Sequence, residues 1–238
     1  MEVKAFAIDL DGTLTDTTGR INLDAAFAVR WLESAGYQVI FVSGKSAGEA
    51  FALASFLGTT RVAVGENGGV LQVGPNDIVL LGEKTYALMG YSYLTERIKE
   101  VKLKPVFPRL TEVVLERTFD FEKGRRFLDE SNLPVDLLDS LYGYHVTKEG
   151  IDKGKGLSEA LKYVGVKPEN CVAIGDSQTD VPMFGMCGYS IAVGNASDEV
   201  KAQARFSTYA ENGEGTTEAI EHVAERFLKI RLEERLGK

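Results

Sequence analysis

The sequence is poor in the residues that most often bind zinc or form disulfides. It has two cysteines and two histidines among 238 residues. Cys171 and Cys187 form no C-x-x-C pair, and each lies in an apolar context, which predicts buried free thiols. His145 and His222 are far apart in sequence and have no partner at ligand spacing. These absences argue against a zinc site.

The chain also lacks an excess of positive charge and a long hydrophobic run. It has 27 Lys and Arg against 35 Asp and Glu, a net charge of -8. This balance argues against nucleic acid or an anionic membrane as the main partner, although a small anionic substrate remains compatible with it. No stretch is long and apolar enough to span a bilayer, and no secretory signal pattern opens the sequence. We therefore expect a soluble, cytoplasmic protein.

Short apolar, β-prone runs recur along the chain, and each is followed at once by small and polar residues. They are AFAIDLDG, YQVIFVSGK, RVAVGENGG, NCVAIGDSQTD and YSIAVGNAS. Runs this continuous are typical of strands that are covered on both faces, as in a parallel sheet. Helical patterns lie between them, at NLDAAFAVRWLESAG, SAGEAFALASFLG and KGLSEALKYVG. The alternation predicts an α/β fold with a doubly wound parallel sheet, a Rossmann-like core.

The polar residues that follow these strands predict one binding site. In doubly wound sheets, ligands bind outside the carboxyl ends of the strands. We therefore expect side chains that are far apart in sequence to converge on one rim of the sheet. They are Asp9, Asp11, Ser43, Asn67, Asp176 and Asn195.

The stretch from about Gly82 to Gly150 breaks the alternation of strand and helix. Just before it, GGVLQVGPNDIVLL predicts a hairpin with its turn at residues 74–77. Four further segments then predict a helix, a strand, a helix and a strand, which suggests an inserted α+β domain. We predict a core domain of residues 1–82 and 151–238 and a cap domain of residues 83–150. The final segment, TTEAIEHVAERFLKIRLEERLGK, predicts an amphipathic helix that packs on the core.

The first predicted strand, AFAIDLDGTLTD, ends in two acids one residue apart. Residues i and i+2 of an extended segment point the same way, so Asp9 and Asp11 would face one spot. An ordinary D-G turn explains such acids in many proteins. Two carboxylates at the end of a buried apolar strand are costly, however, unless a positive group lies beside them. Gly12 allows a sharp exit from the strand, and Thr13 can hydrogen-bond to the loop backbone.

This segment resembles the first motif, D-x-D-G-T-[LV], of the haloacid dehalogenase superfamily of phosphatases. The other three motifs follow in order. VIFVSGK supplies a serine that ends a strand, DKGKGL a lysine ahead of a helix, and IGDSQTDVPM two acids; these residues are Ser43, Lys153, Asp176 and Asp180. The resemblance covers roughly residues 1–82 and 151–220. Lys155 is the rival of Lys153 in the third motif, and the K-G-x-x-L register favours Lys153.

The resemblance implies a Mg²⁺-dependent phosphoric monoester hydrolase that forms an aspartyl-phosphate. In this mechanism Asp9 is the nucleophile, while Asp11 protonates the leaving alcohol and then activates water. Ser43 and Lys153 bind the phosphoryl oxygens. The implied metal ligands are an oxygen of Asp9, the backbone carbonyl of Asp11, Asp176 and Asp180, the last directly or through water. Such a set of oxygen ligands suits octahedral Mg²⁺.

The acids of the fourth motif also have an ordinary structural interpretation. Acids are favoured at helix starts, so Asp176 and Asp180 could form an N-cap cluster. That interpretation does not explain why two acids also end the first strand. The loops GENGG and GNAS resemble small backbone loops of the same family, and we assign Asn67 and Asn195 supporting roles only.

The insert lies between the second and third motifs, which in the resembling family marks a cap that closes over the site. In length and motif spacing the chain resembles the archaeal phosphoglycolate phosphatases, and this resemblance implies 2-phosphoglycolate as the substrate. A cationic or polar residue should then meet the carboxylate of the substrate. The candidates, each more often an ordinary surface residue, are Arg109, Arg117, Lys148 and His145.

Three other functions stay open at this stage. A sugar-phosphate or broad-specificity phosphatase would use the same core. A non-catalytic phosphate-binding regulator would be expected to have lost Asp9, Asp11, Lys153 or Asp176, and all four are intact. A receiver-like domain is usually about half this length and has no cap. The apolar residues of YALMGYSYL leave a homodimer open as well.

Overall fold

The computed structural model describes residues 1–228. Its strands are β1 (Ala5–Ile8), β2 (Gln38–Val42), β3 (Ala63–Gly65), β4 (Val70–Gln72), β5 (Ile78–Leu80), β6 (Val113–Leu115), β7 (Val135–Asp139), β8 (Tyr144–Lys148), β9 (Cys171–Gly175), β10 (Tyr189–Ala192) and β11 (Phe206–Ser207). Its α-helices are α1 (Leu23–Ser34), α2 (Ala47–Leu57), α3 (Lys84–Thr95), α4 (Phe121–Glu130), α5 (Lys153–Val164), α6 (Val181–Met186), α7 (Asp198–Lys201) and α8 (Asn212–Val223). The part of the predicted C-terminal helix after Leu228 lies outside the described residues.

The larger sheet has eight strands in the order β11-β10-β9-β1-β2-β3-β4-β5. The six strands from β11 to β3 are parallel, and β1 lies between β2 and β9. The strands β4 and β5 are antiparallel and form the predicted hairpin at one edge. The predicted α/β fold with a parallel sheet is therefore confirmed. Among residues 1–228, no helix has the length and apolar character needed to cross a membrane.

Helices cover both faces of this sheet, which explains why its strands are continuously apolar. Phe6 and Ile8 of β1 point into a hydrophobic cluster with α1, α2 and α8. Ala5 and Ala7 point the other way, into a cluster with α5 and α6. The left-handed Gly58 ends α2, as expected for a C-terminal glycine cap. Because these strands are parallel, their carboxyl ends lie at one rim of the sheet.

A second sheet lies in the inserted segment and has three antiparallel strands in the order β6-β8-β7. Helices α3 and α4 pack on it and contribute to a separate hydrophobic cluster. The strand β7 was not predicted from the sequence. The two sheets and their separate clusters support the division at residues 83–150, which stays a prediction. We call residues 83–150 the cap below.

The two cysteines are free and buried, as predicted. Cys171 is the first residue of β9, and Cys187 follows α6. His145 lies in β8 of the cap and His222 in α8, so the two histidines belong to different parts of the fold.

Candidate active site

A buried lysine joins two of the predicted acids. Lys153 is the first residue of α5, and its side chain is 3% exposed. Its Nζ donates hydrogen bonds to Oδ1 of Asp9 and Oδ1 of Asp180, both at 2.7 Å. Lys155, the rival lysine, is exposed and pairs with Glu159. The structure therefore brings Lys153, and not Lys155, to the carboxyl ends of β1 and β9.

The second oxygen of Asp180 stabilises the turn after β9. Its Oδ2 accepts hydrogen bonds from the backbone N–H groups of Asp176 and Ser177, at 3.1 and 2.9 Å. The Ser177 hydroxyl donates to the same oxygen at 2.9 Å. Both oxygens of Asp180 thus have partners. Asp180 holds the Asp176 loop on one side and Lys153 on the other.

Asp176 connects three loops at the rim of the sheet. Its Oδ1 accepts a hydrogen bond from the Thr13 hydroxyl at 3.1 Å, and its Oδ2 accepts one from Nδ2 of Asn195 at 3.0 Å. The same Nδ2 donates to the carbonyl of Gly12 at 2.9 Å. The sequence-based expectation for Thr13 was different, because its hydroxyl binds this distant carboxylate instead of the loop backbone. Thr13 and Asn195 therefore orient Asp176.

Gly12 adopts the left-handed backbone conformation, with φ of +78°. A Cβ at this position would lie 2.4 Å from Oδ2 of Asp176. Both the backbone conformation and the close approach of Asp176 require glycine here. Steric constraints at the site thus explain why the first motif has glycine at this position.

Carboxylate oxygens of Asp9, Asp176 and Asp180 lie within 4.8 Å of one another. Burial raises the pKa of Asp9, and Asp180 and Asp176 add to the rise while the charge of Lys153 opposes it. Burial and the neighbouring Asp180 raise the pKa of Asp176 to about 7. Against the effect of burial, Asp180 and Asp9 raise the pKa of Lys153 above its usual range. One buried cation does not neutralise three buried acids, so the donor set fits a hard divalent cation.

Asp11 lies at the more exposed side of this cluster and has a different partner. Its Oδ1 is 3.0 Å from Nζ of Lys45, and the side chains of Asp11 and Lys45 are 31% and 29% exposed. Asp9 and Asp11 still line one narrow pocket together with Lys153. Sequence reasoning did not single out Lys45. The only signal for it is its place two residues after Ser43, where β2 has just ended.

Ser43 is fully buried at the end of β2. Its Oγ accepts a hydrogen bond from the backbone N–H of Lys45 at 3.0 Å. The backbone N–H of Asn67 donates to the Ser43 carbonyl at 3.1 Å. The Asn67 side chain faces the cap, where its Nδ2 donates to Oε2 of Glu112 at 3.2 Å. Asn67 therefore connects the end of β2 to the cap.

The loop between β7 and β8 of the cap lies over the acids. Ser140 and Tyr142 from this loop line the narrow pocket together with Asp9, Asp11 and Lys153. A larger cleft of about 570 Å³ is lined by Asp11, Lys45, Ser140, Leu141, Tyr142, Asp176 and Asn195 among others. The cap thus forms one wall of the cavity that contains the predicted nucleophile.

Two of the four candidate partners of a substrate carboxylate are buried, so their interpretation as surface residues was wrong. His145 is fully buried; its Nδ1 lies 2.9 Å from Oε2 of Glu112 and its Nε2 lies 2.8 Å from Oγ of Ser140. Arg109 is 7% exposed, and its Nε lies 3.6 Å from Oε1 of Glu112. Glu112, which the sequence did not single out, is the common partner of both.

The other two candidates form ion pairs at the surface of the cap. Arg117 pairs with Asp139 at 2.8 Å, and Lys148 pairs with Glu83. Neither residue lines the pocket above Asp9. Their interpretation as ordinary surface residues agrees with this placement.

Comparisons with known proteins found relatives that match most of this chain. The family model for haloacid dehalogenase-like hydrolases matches residues 6–127 and 138–220. A phosphoglycolate phosphatase of Nitrosopumilus maritimus is 46% identical over 225 residues, which cover 94% of this chain and 97% of the relative. A phosphoglycolate phosphatase of Methanothrix thermoacetophila is 37% identical over 221 residues, with 93% and 97% coverage.

Solved structures show the same fold at lower sequence identity. A crystal structure from Thermoplasma acidophilum aligns with a TM-score of 0.83 at 24% identity and covers 93% of this chain and 98% of that one. A haloacid dehalogenase-like hydrolase from Bacteroides thetaiotaomicron aligns with a TM-score of 0.75 at 22% identity, with 93% and 100% coverage.

Proposed function

The chain belongs to the haloacid dehalogenase-like hydrolases, and we propose from this premise that it hydrolyses 2-phosphoglycolate, a small phosphate monoester. The relatives at 46% and 37% identity are both named phosphoglycolate phosphatase. The observation that carries the chemistry is the position of Lys153 between Asp9 and Asp180, in the pocket that Asp11 also lines. A nucleophile, a proton donor and a phosphate-binding cation meet there.

The proposed reaction transfers the phosphoryl group twice. An oxygen of Asp9 attacks phosphorus, and the bond from phosphorus to the leaving oxygen breaks as Asp11 gives that oxygen a proton. Asp11 then takes a proton from water, the water oxygen attacks the aspartyl-phosphate, and Asp9 is regenerated as phosphate leaves. Ser43 donates a hydrogen bond from its hydroxyl to a phosphoryl oxygen, and Lys153 neutralises charge on another.

Mg²⁺ is the proposed cofactor, held by Asp9, the Asp11 backbone carbonyl and Asp176. When bound, it neutralises charge between the carboxylates and the incoming phosphate. The site fits a divalent cation because three carboxylates have oxygens within 4.8 Å of one another, and Lys153 neutralises only part of their negative charge. Asp180, the third carboxylate of this group, also orients Lys153 and the Asp176 loop, and it would contact the metal directly or through water.

The test is a steady-state assay of phosphate release from 2-phosphoglycolate with Mg²⁺. Asp9→Asn removes the nucleophile, so we expect no measurable turnover. Asp11→Asn removes general acid–base catalysis, so we expect kcat to fall by about 10²- to 10⁴-fold. Asp24→Asn, at an exposed acid in the first turn of α1, is the matched control. Near-normal turnover in either site variant would contradict the proposal.

A phosphatase for sugar phosphates or for many esters is the second candidate. The cleft beside Asp11 has a volume of about 570 Å³, which is more than a glycolate group fills. A substrate panel with hexose phosphates and 2-phosphoglycolate separates the two functions. Comparable kcat/KM values across the panel would favour the broader enzyme. The cytoplasmic location, the lack of nucleic acid as a partner and the homodimer stay predictions.

A further inference from the structure

Lys45 lies beside Asp11 and lines two clefts. Its Nζ is 3.0 Å from Oδ1 of Asp11 and 5.4 Å from the ring centre of Tyr142 in the cap. Lys45 and Tyr142 line both the cleft of about 570 Å³ beside Asp11 and a neighbouring cleft of about 500 Å³. The Lys45 side chain is 29% exposed, so a small ligand can reach its ammonium group.

The chemistry of the proposed substrate requires a cation at this place. In 2-phosphoglycolate the carboxylate carbon is two bonds from the oxygen that Asp11 protonates. The substrate carboxylate must therefore lie near Asp11, close to a group of buried acids whose negative charge would repel it. Lys45 is the cation that contacts Asp11, and a charged hydrogen bond to a carboxylate is among the stronger polar contacts in proteins.

A second cation lies at the neighbouring cleft, which Lys45, Arg109 and the acidic Glu49 line among others. Arg109 lines that cleft, and its side chain is largely buried. Its Nε and Nη1 have no hydrogen-bond partner among residues 1–228, and its ion-pair contact is to Glu112 at 3.6 Å. The charge of Arg109 is thus only loosely compensated on the side of the pocket where the leaving group would lie.

We propose that Lys45 recognises the substrate carboxylate by changing partners, from Asp11 to the substrate. This inference rests on the proposed function and adds the residue that selects the leaving group. When Lys45 binds the substrate carboxylate, Oδ1 of Asp11 is released to contact the leaving oxygen. An ester with an uncharged leaving group offers Lys45 no such exchange, and Lys45 stays bound to Asp11. The site therefore selects phosphate monoesters that carry a carboxylate next to the ester oxygen.

The experiment compares 2-phosphoglycolate with ethyl phosphate, in which a methyl group replaces the carboxylate. For Lys45→Met we expect the ratio of the two kcat/KM values to fall by about 10- to 100-fold, since one charged hydrogen bond is lost. Lys45→Arg keeps the charge and should retain most of the ratio. Lys155→Met makes the same change of charge at an exposed lysine that pairs with Glu159, and it should leave the ratio unchanged.

Inhibition by inorganic phosphate separates the two halves of the substrate, because phosphate has no leaving group. If Lys45→Met weakens the binding of inorganic phosphate as much as the binding of 2-phosphoglycolate, Lys45 binds the phosphoryl group and the inference is wrong. An unchanged ratio in Lys45→Met also overturns it, while the proposed phosphatase function stands. If the unmodified protein releases phosphate from neither ester with Mg²⁺, the proposed function itself fails, and this inference fails with it.

Discussion

In the metal-free protein, the Asp176 carboxyl group makes the folded state less stable as the pH rises. Burial and the nearby Asp180 raise the pKa of Asp176 from 3.8 to about 7. The folded protein therefore keeps a proton on Asp176 at pH values where the unfolded chain has lost it. This contribution to stability is complete below about pH 4, declines between pH 4 and 7, and is absent above pH 7.

The size of this effect follows from the difference between the two pKa values. At about 1.4 kcal/mol per pKa unit, the shift from 3.8 to about 7 corresponds to about 4 kcal/mol in the free energy of unfolding. Of this, about 2 kcal/mol is lost between pH 5 and pH 7. For a chain of this size, such a loss lowers Tm by about 4 to 8 °C. Burial also raises the pKa of Asp9, so Asp9 too makes the folded state less stable as the pH rises.

The assay is thermal unfolding at pH 5, 6 and 7 with a chelator, repeated with Mg²⁺. We expect Tm to fall with pH in the chelated protein and Mg²⁺ to restore most of the loss at pH 7. Asp176→Asn should remove at least half of the fall and most of the Mg²⁺ effect. Asp129→Asn, at an exposed acid of α4, is the control. A chelated protein whose Tm is constant or rises from pH 5 to pH 7 would refute this reasoning.

Two further predictions concern residues that support the site. Gly12→Ala forces a left-handed residue to carry a Cβ 2.4 Å from Oδ2 of Asp176, so the Mg²⁺ concentration for half-maximal activity should rise at least tenfold. An unchanged Mg²⁺ titration would contradict this. Glu112→Ala removes the acceptor of buried His145 and Asn67, which should lower the free energy of unfolding by about 3 kcal/mol in urea titrations. A loss below about 0.5 kcal/mol would show that these bonds contribute little.

The core could be predicted from sequence because its signals are local. The apolar run of β1 is covered on both faces, and Asp9 follows it directly. Gly58 and Gly165 predict the ends of α2 and α5, and both glycines adopt the left-handed conformation there. Because parallel strands end at one rim, the positions of the acids follow from the positions of the strands.

The cap could not be predicted to the same depth, because its polar contacts join distant residues. The buried state of His145 depends on Glu112, which is 33 positions away, and the contact of Glu112 with Asn67 spans 45 positions. No local pattern indicates either pairing. The strand β7, with the sequence VDLLD, has two acids in five residues and follows a proline, so its strand signal is weak. Lys45 was missed for a related reason, since its partner Asp11 lies at the end of another strand.

The loop after β3 connects the cap to the end of β2, where Ser43 lies. Glu66 and Asn67 both have positive φ values, 53° and 51°, which are unfavourable for residues with side chains. The Glu66 carboxylate accepts hydrogen bonds from the backbone N–H groups of Leu110 and Thr111, and the backbone N–H of Asn67 donates to the carbonyl of Ser43. The contacts with the cap thus offset a strained loop that in turn positions Ser43. A change in the cap segment around Leu110 should therefore affect phosphate binding as well as the choice of leaving group.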